Sequence, residues 1–239
     1  MKSYLIHFSE FIKNPLYKPL NRPLVIVLFY SIFFSIVSLH IYLFFIVIFQ
    51  FVIDNYTTIT SWNFVENNRA SLNDFSNNNF IVAIILAPII EELVFRGFLN
   101  FKKINFYISI FLLIGMVPMF MNFKVNIYIT SIIYITCIFC GILISKIENK
   151  NIESSILKMK TNYRATVYVS VMIFGFTHIT NYENITLNQI LFSPITLFPQ
   201  LLAGFLYSYL RVNYGLIFSI TLHSLDNFFV VLVTYLNSK

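Results

Sequence analysis

The chain has 239 residues, 58% of them hydrophobic and 11% charged, and a formal net charge of +6, with a mean hydropathy of +0.76. Soluble domains carry about 25% charged residues, so this composition excludes a soluble globule. It reads as an all-α, polytopic transmembrane helical bundle with no polar stretch large enough for a second domain, so residues 1–239 count as one membrane domain. The basic excess does not mark a nucleic-acid binder. Lys and Arg sit in short loops between apolar runs, where they set membrane orientation.

Residues 1–23, with Lys2, Lys13, Lys18 and Arg22, read as a cytoplasmic N-terminal segment. The apolar run that follows is far longer than a signal-peptide core and shows no small-residue cleavage site. Apolar periodicity predicts about seven spans, at 24–52, 79–100, 104–120, 125–145, 164–180, 189–210 and 215–236. They are helices rather than barrel strands, because the runs are continuous instead of alternating. No internal repeat is evident.

An N-terminus in the cytoplasm puts twelve basic residues inside and three (Arg69, Lys124, Lys239) outside, with Arg96 within the membrane. That bias predicts a multi-pass protein of the cell membrane with its N-terminus inside. The outer loop 54–78 is rich in Asn and reads as a solvated connector. Asn55-Tyr56-Thr57 and Asn184-Ile185-Thr186 match a glycosylation pattern too short to carry weight. His40, in the first span, is expected to hydrogen-bond a neighbouring helix. Cys137 and Cys140 form a C-x-x-C in an apolar helix without βαβ context, which reads as packing. The third and fourth spans contain no acidic or basic side chain and also read as packing helices. The sixth runs through Pro194, Pro199 and Gly204, and is expected to be kinked and to line a cavity.

Chemistry concentrates elsewhere. The second span carries Glu91, Glu92 and Arg96, and a charge in lipid costs roughly 2.5 to 3.5 kcal/mol even on the lenient insertion scale. Glu92 and Arg96 stand four apart with the acid first, the favourable order for a same-face ion pair, whereas Glu91 is rotated about 100° away. Glu91 is therefore the free carboxylate and the candidate base. The fifth span ends in Phe174-Gly175-Phe176-Thr177-His178, where helical spacing sets Phe174 against the imidazole. The seventh carries His223, Asp226 and Asn227 as a polar stripe. A carboxylate base, a proton-handling imidazole and a possible donor pair in His223 and Asn227 are the parts peptide hydrolysis needs. No G-x-S-x-G occurs, and the cysteines have no nearby base.

Glu91-Glu92-x-x-x-Arg96, Phe174-x-x-x-His178 and His223-x-x-x-Asn227, in that order, resemble the three motifs of the CAAX prenyl protease and bacteriocin-processing family of membrane endopeptidases. Pro88 and Gly97 around the first motif and the run 204–216 before the third extend the resemblance, which covers residues 80–230. It implies a glutamate-dependent intramembrane endopeptidase acting on a peptide or protein tail at the membrane lipid, and the absence of an H-E-x-x-H points to a site without a metal. In that reading Glu91 and His178 activate water, His223 and Asn227 hold the oxyanion, and Glu92, Arg96 and Phe174 support the site. Three other readings fit the same residues: a zinc hydrolase with Glu91, His178 and His223 as ligands, an idle binding or bacteriocin-immunity protein, and a transporter with a proton relay.

Two further expectations concern geometry. Spans 104–120 and 125–145 separate the first two motifs, and at 1.5 Å per residue His178 comes out about 21 Å from the inner face while Glu91 comes out about 12 Å. Glu91 near the inner end of its span also predicts a water-filled cavity open to the cytoplasm.

Overall fold

A run with neither Gly nor Pro from Leu24 to Tyr56 forms the longest helix, α2. Its segment Leu24–Ile41 has a mean hydropathy of 2.4 and is only 11% buried in the protein, and Tyr128–Ser145 in α5 (Ile127–Ser145) repeats the pattern at 2.1 and 11%. A helix apolar on every side yet uncovered by protein has lipid as its solvent. Among the described residues these two segments are long and apolar enough to cross a membrane.

The structure, a computed structural model, describes residues 1–15, 23–56, 80–120, 127–181 and 187–237. Within them lie ten α-helices and no strand. Most of the 54–78 loop and the sequence Asn184-Ile185-Thr186 fall outside the described residues.

The remaining helices are α1 (Lys2–Lys13), α3 (Ala87–Phe95, entered from a π-helix at Val82–Leu86 and left through a 3₁₀ turn at Gly97–Asn100), α4 (Lys103–Phe120), α6 (Lys150–Thr161), α7 (Tyr163–Thr177), α8 (Leu187–Thr196), α9 (Phe198–Asn213) and α10 (Leu216–Asn237). Helices α3, α7, α9 and α10 pack around the motif residues, and α2 lies against α9 and α10. The α4–α5 hairpin packs on α3 from the side, so it does not part the first motif from the second. Cys137 serves that hairpin, its sulfur filling the space beside Gly115.

Several expectations need correction. The 79–100 span is not one regular helix but three short pieces, and the 189–210 span is two helices meeting at Leu197. At 1.5 Å per residue the 16 residues of α9 reach about 24 Å, short of the ~30 Å hydrocarbon thickness, whereas α7 runs on into a 3₁₀ turn at His178–Asn181, as the 164–180 span predicts. The prolines cause the break: Pro194 lies inside α8 and Pro199 in the first turn of α9. Pro194 has no N–H for the Ile190 carbonyl, and the Ser193 hydroxyl donates to that carbonyl instead, at 2.7 Å.

Residues 1–23 include a docked helix. Tyr4, Phe8 and Phe11 recur at helical spacing, are buried, and pack edge-on to Tyr209 of α9. The Tyr4 hydroxyl pairs with Ser31 of α2 at 2.8 Å. Residues 146–164, expected as loop, contain α6, whose N-cap Asn149 accepts from the N–H groups of Asn151 and Ile152. Glu153 in its first turn and Lys158 and Lys160 in its last suit the helix dipole. His40 bonds the Ile36 carbonyl of its own helix at 2.7 Å rather than a neighbour, the i−4 carbonyl being the nearest acceptor.

Candidate active site

The site is built on the end of α3. The last carbonyls of a helix have no intrahelical donor, and here side chains from three other helices supply them. Ser109 of α4 donates to Leu93 O at 2.6 Å, Ser170 of α7 to Phe95 O, and Arg211 of α9 to Arg96 O at 2.9 Å and Gly97 O at 3.0 Å. The helix carrying both carboxylates is thereby fixed at its C-terminal end.

Its N-terminal end carries a second device. In the π-helix the Ala87 N–H bonds Val82 O, so the next donor in that register belongs to residue 88. That residue is a proline without an N–H. The Asn227 side chain provides the donor instead, its Nδ2 lying 2.8 Å from Ala83 O.

Glu92 and Arg96 are both 0% exposed and paired at 2.8 Å. The same Oε1 of Glu92 accepts from His223 Nδ1 at 3.0 Å, and Oε2 accepts from the Ser219 hydroxyl. The Arg96 guanidinium lies over the Phe174 ring, 3.8 Å from its centroid. A Cβ on Gly204 would stand 3.2 Å from Arg96 Nη2, so the close approach of α9 leaves little room for a larger residue there.

Glu91 is different. Its side chain is 20% exposed, and its Oε2 is buried with no hydrogen-bond partner among the described residues. The nearest cationic-capable atoms are His223 Nε2 at 3.7 Å and His178 Nε2 at 4.0 Å. Both imidazoles are oriented from behind. His178 Nδ1 donates to Phe174 O at 2.8 Å and His223 Nδ1 to Glu92, so each carries its proton on Nδ1 and turns Nε2 to Glu91. Aromatic rings hold the two imidazoles: Phe174 packs edge-on to both, and Tyr207 stacks on His223 with centroids 4.5 Å apart. Tyr207 in turn donates to Asp226 at 2.8 Å.

The depth mismatch between Glu91 and His178 closes through side-chain direction. Helices α3 and α7 run antiparallel, with Phe95 level with Ser170. Helical side chains lean toward their own N-termini, so Glu91 and His178 lean toward each other across the pair. The structure thus brings together Glu91, Glu92, Arg96, Phe174, His178 and His223. Asn227 lies one turn beyond His223, on Ala83 O.

Sequence reasoning missed Ser219, Tyr207, Ser170 and Arg211. Ser219 was open to discovery, since it stands four residues before His223 on the stripe that continues to Asn227. Among the described residues no group of three His, Cys, Asp or Glu side chains is placed to hold a metal ion.

The described residues form an all-helical protein with two helices apolar enough to cross a membrane and a buried carboxylate–imidazole cluster at the end of α3. The chain belongs to the type II CAAX prenyl endopeptidase, Rce1-like family, whose model matches residues 76–229. That is a membrane-embedded protease family, and it implies a peptide or protein tail as substrate. No curated protein and no solved structure matches the chain.

Proposed function

We propose that the protein is a membrane-embedded endopeptidase that hydrolyses a peptide bond with water activated by Glu91 and His178. The observation that carries this reading is the unpartnered Glu91 Oε2 facing two Nε2 atoms at 3.7 and 4.0 Å. These separations are too long for direct hydrogen bonds and are of the size one water molecule bridges. Such a water donates one proton to Glu91 and the other to His178 Nε2, and presents its oxygen to the scissile carbonyl.

As that oxygen bonds to the carbonyl carbon, Glu91 takes the proton and negative charge moves onto the carbonyl oxygen. Asn227 has a second amide N–H beyond the one given to Ala83 O, and it is the neutral donor for the oxyanion. His223 donates through Nε2 only when both its nitrogens carry protons, with Glu92 accepting from Nδ1. When the tetrahedral intermediate collapses, the proton held by Glu91 passes to the leaving amine nitrogen and a carboxyl and an amine product separate.

In the same reading the bundle spans the membrane several times with its N-terminus in the cytoplasm, the site opens toward the cytoplasm, and residues 1–239 form one domain. The twelve-to-three basic bias supports that orientation. Labelling of cysteines placed at Ser3 and Ser238 tests it, and labelling of both from one side contradicts it.

Comparative peptidomics of cells carrying the wild type or Glu91→Gln tests the activity: shortened tails should appear with the wild type and vanish with the variant. Activity of the purified protein should survive a strong zinc chelator. Loss on chelation and recovery with zinc would favour instead the reading in which Glu91, His178 and His223 hold a metal.

A further inference from the structure

The ends of α6, α7 and α9 and the turn after α3 border an open cleft of about 640 Å³, on the face that the orientation proposed above turns toward the cytoplasm, and the inference rests on that orientation. None of the residues of the Glu91 cluster lines it. Its wall includes Lys160, Arg211, Tyr163, Tyr214, Asn100 and Phe101, and no carboxylate. Arg211 spends Nε and Nη2 on the carbonyls of Arg96 and Gly97, which leaves Nη1 uncommitted. Lys103 nearby in the fold is paired with Glu153, whereas Lys160 makes no ion pair among the described residues.

The carbonyls of α3 and the C-terminal end of α6 offset these two cations only in part; the wall bears no full negative charge, and an oxyanion between the cations supplies one. Volumes of about 300 to 1,000 Å³ suit ligands well beyond a lone inorganic ion, and Phe101, Tyr163 and Tyr214 add the aromatic surface usual at headgroup depth. Basic pockets between helices on the positive side of a membrane protein face the leaflet rich in anionic lipid. We propose that this cleft binds the headgroup phosphate of an anionic phospholipid, with Lys160 Nζ and Arg211 Nη1 as its two cations. A lipid held there is tied through Arg211 to the carbonyl end of the helix that carries Glu91.

The test uses the full chain in nanodiscs of phosphatidylcholine, with and without phosphatidylglycerol, and native mass spectrometry to measure retained lipid. The wild type should retain phosphatidylglycerol in preference to phosphatidylcholine. Lys160→Gln, at an exposed position that leaves folding intact, should lower that preference about fivefold, the effect of one basic residue at an anionic surface. Lys158→Gln, on the same helix but outside the cleft, should leave it unchanged. Equal losses in the two variants, or none in Lys160→Gln, would overturn the site. Displacement of the lipid by inorganic phosphate as readily as by short-chain phosphatidylglycerol would overturn its assignment to a lipid.

Discussion

Glu91 and Glu92 are neighbours in sequence and opposites in surroundings. Glu92 is fully buried and accepts from Arg96, His223 and Ser219. Glu91 is partly exposed, and one of its oxygens has no hydrogen-bond partner among the described residues. A saturated buried carboxylate has its lone pairs committed to holding helices together. One with an open lone pair beside two imidazoles is available to take a proton. The 100° between consecutive helix residues is enough to give two adjacent carboxylates these different surroundings.

The contrast can be broken at several strengths, beginning with the pair itself. Glu92→Gln leaves Arg96 as a buried charge without its counter-ion, and breaking such a pair costs about 3 to 5 kcal/mol. The variant should lose that much in thermal unfolding in detergent and accumulate poorly; unchanged stability would mean that the pairing does not hold the core. Ser219→Ala removes one hydrogen bond to the same carboxylate, and bonds to charged groups contribute about 1.5 to 3 kcal/mol. A smaller drop in melting temperature is expected there, with cleavage per folded molecule retained. Gly204→Ala brings a methyl group against Arg96, Phe174 and Val171, each 3.2 Å from the added carbon. Overpacking of that kind costs about 1 to 3 kcal/mol, and a neutral result would show that the layer around Arg96 yields. At the small end, His40→Ala changes an exposed side chain bonded to its own helix and should shift stability by no more than about 0.5 kcal/mol.

Much of this was legible from residue types and spacing. An acid and a guanidinium four apart in an apolar run have few ways to avoid an isolated charge, so the Glu92–Arg96 pair followed from helix geometry. The approach of Phe174 to His178 followed in the same way. The all-helical class was written in the continuous apolar runs. What escaped was structure carried by other signals. Helix α1 hides its Tyr4, Phe8 and Phe11 stripe among polar residues, and α6 is announced by the Asn149 cap and its charge order rather than by hydropathy. The π-helix before Pro88 and the donation from Asn227 that completes it join residues 144 positions apart, a contact that no local pattern encodes. Nor did spacing show that Arg211 would close the carbonyl end of α3 from a helix more than a hundred residues away.

The central claim is that Glu91 is the base in a hydrolysis, and one measurement bears on it directly. The purified wild type and Glu91→Gln are reconstituted in liposomes and given tail peptides identified by peptidomics, in water enriched in oxygen-18. Each new carboxyl terminus is then read by mass spectrometry, with folded protein quantified by thermal unfolding. The wild type should produce cut peptides carrying the label in the new carboxylate. Glu91→Gln should melt like the wild type and cut at least about a hundredfold more slowly. Equal cutting by a stable Glu91→Gln variant would contradict the account.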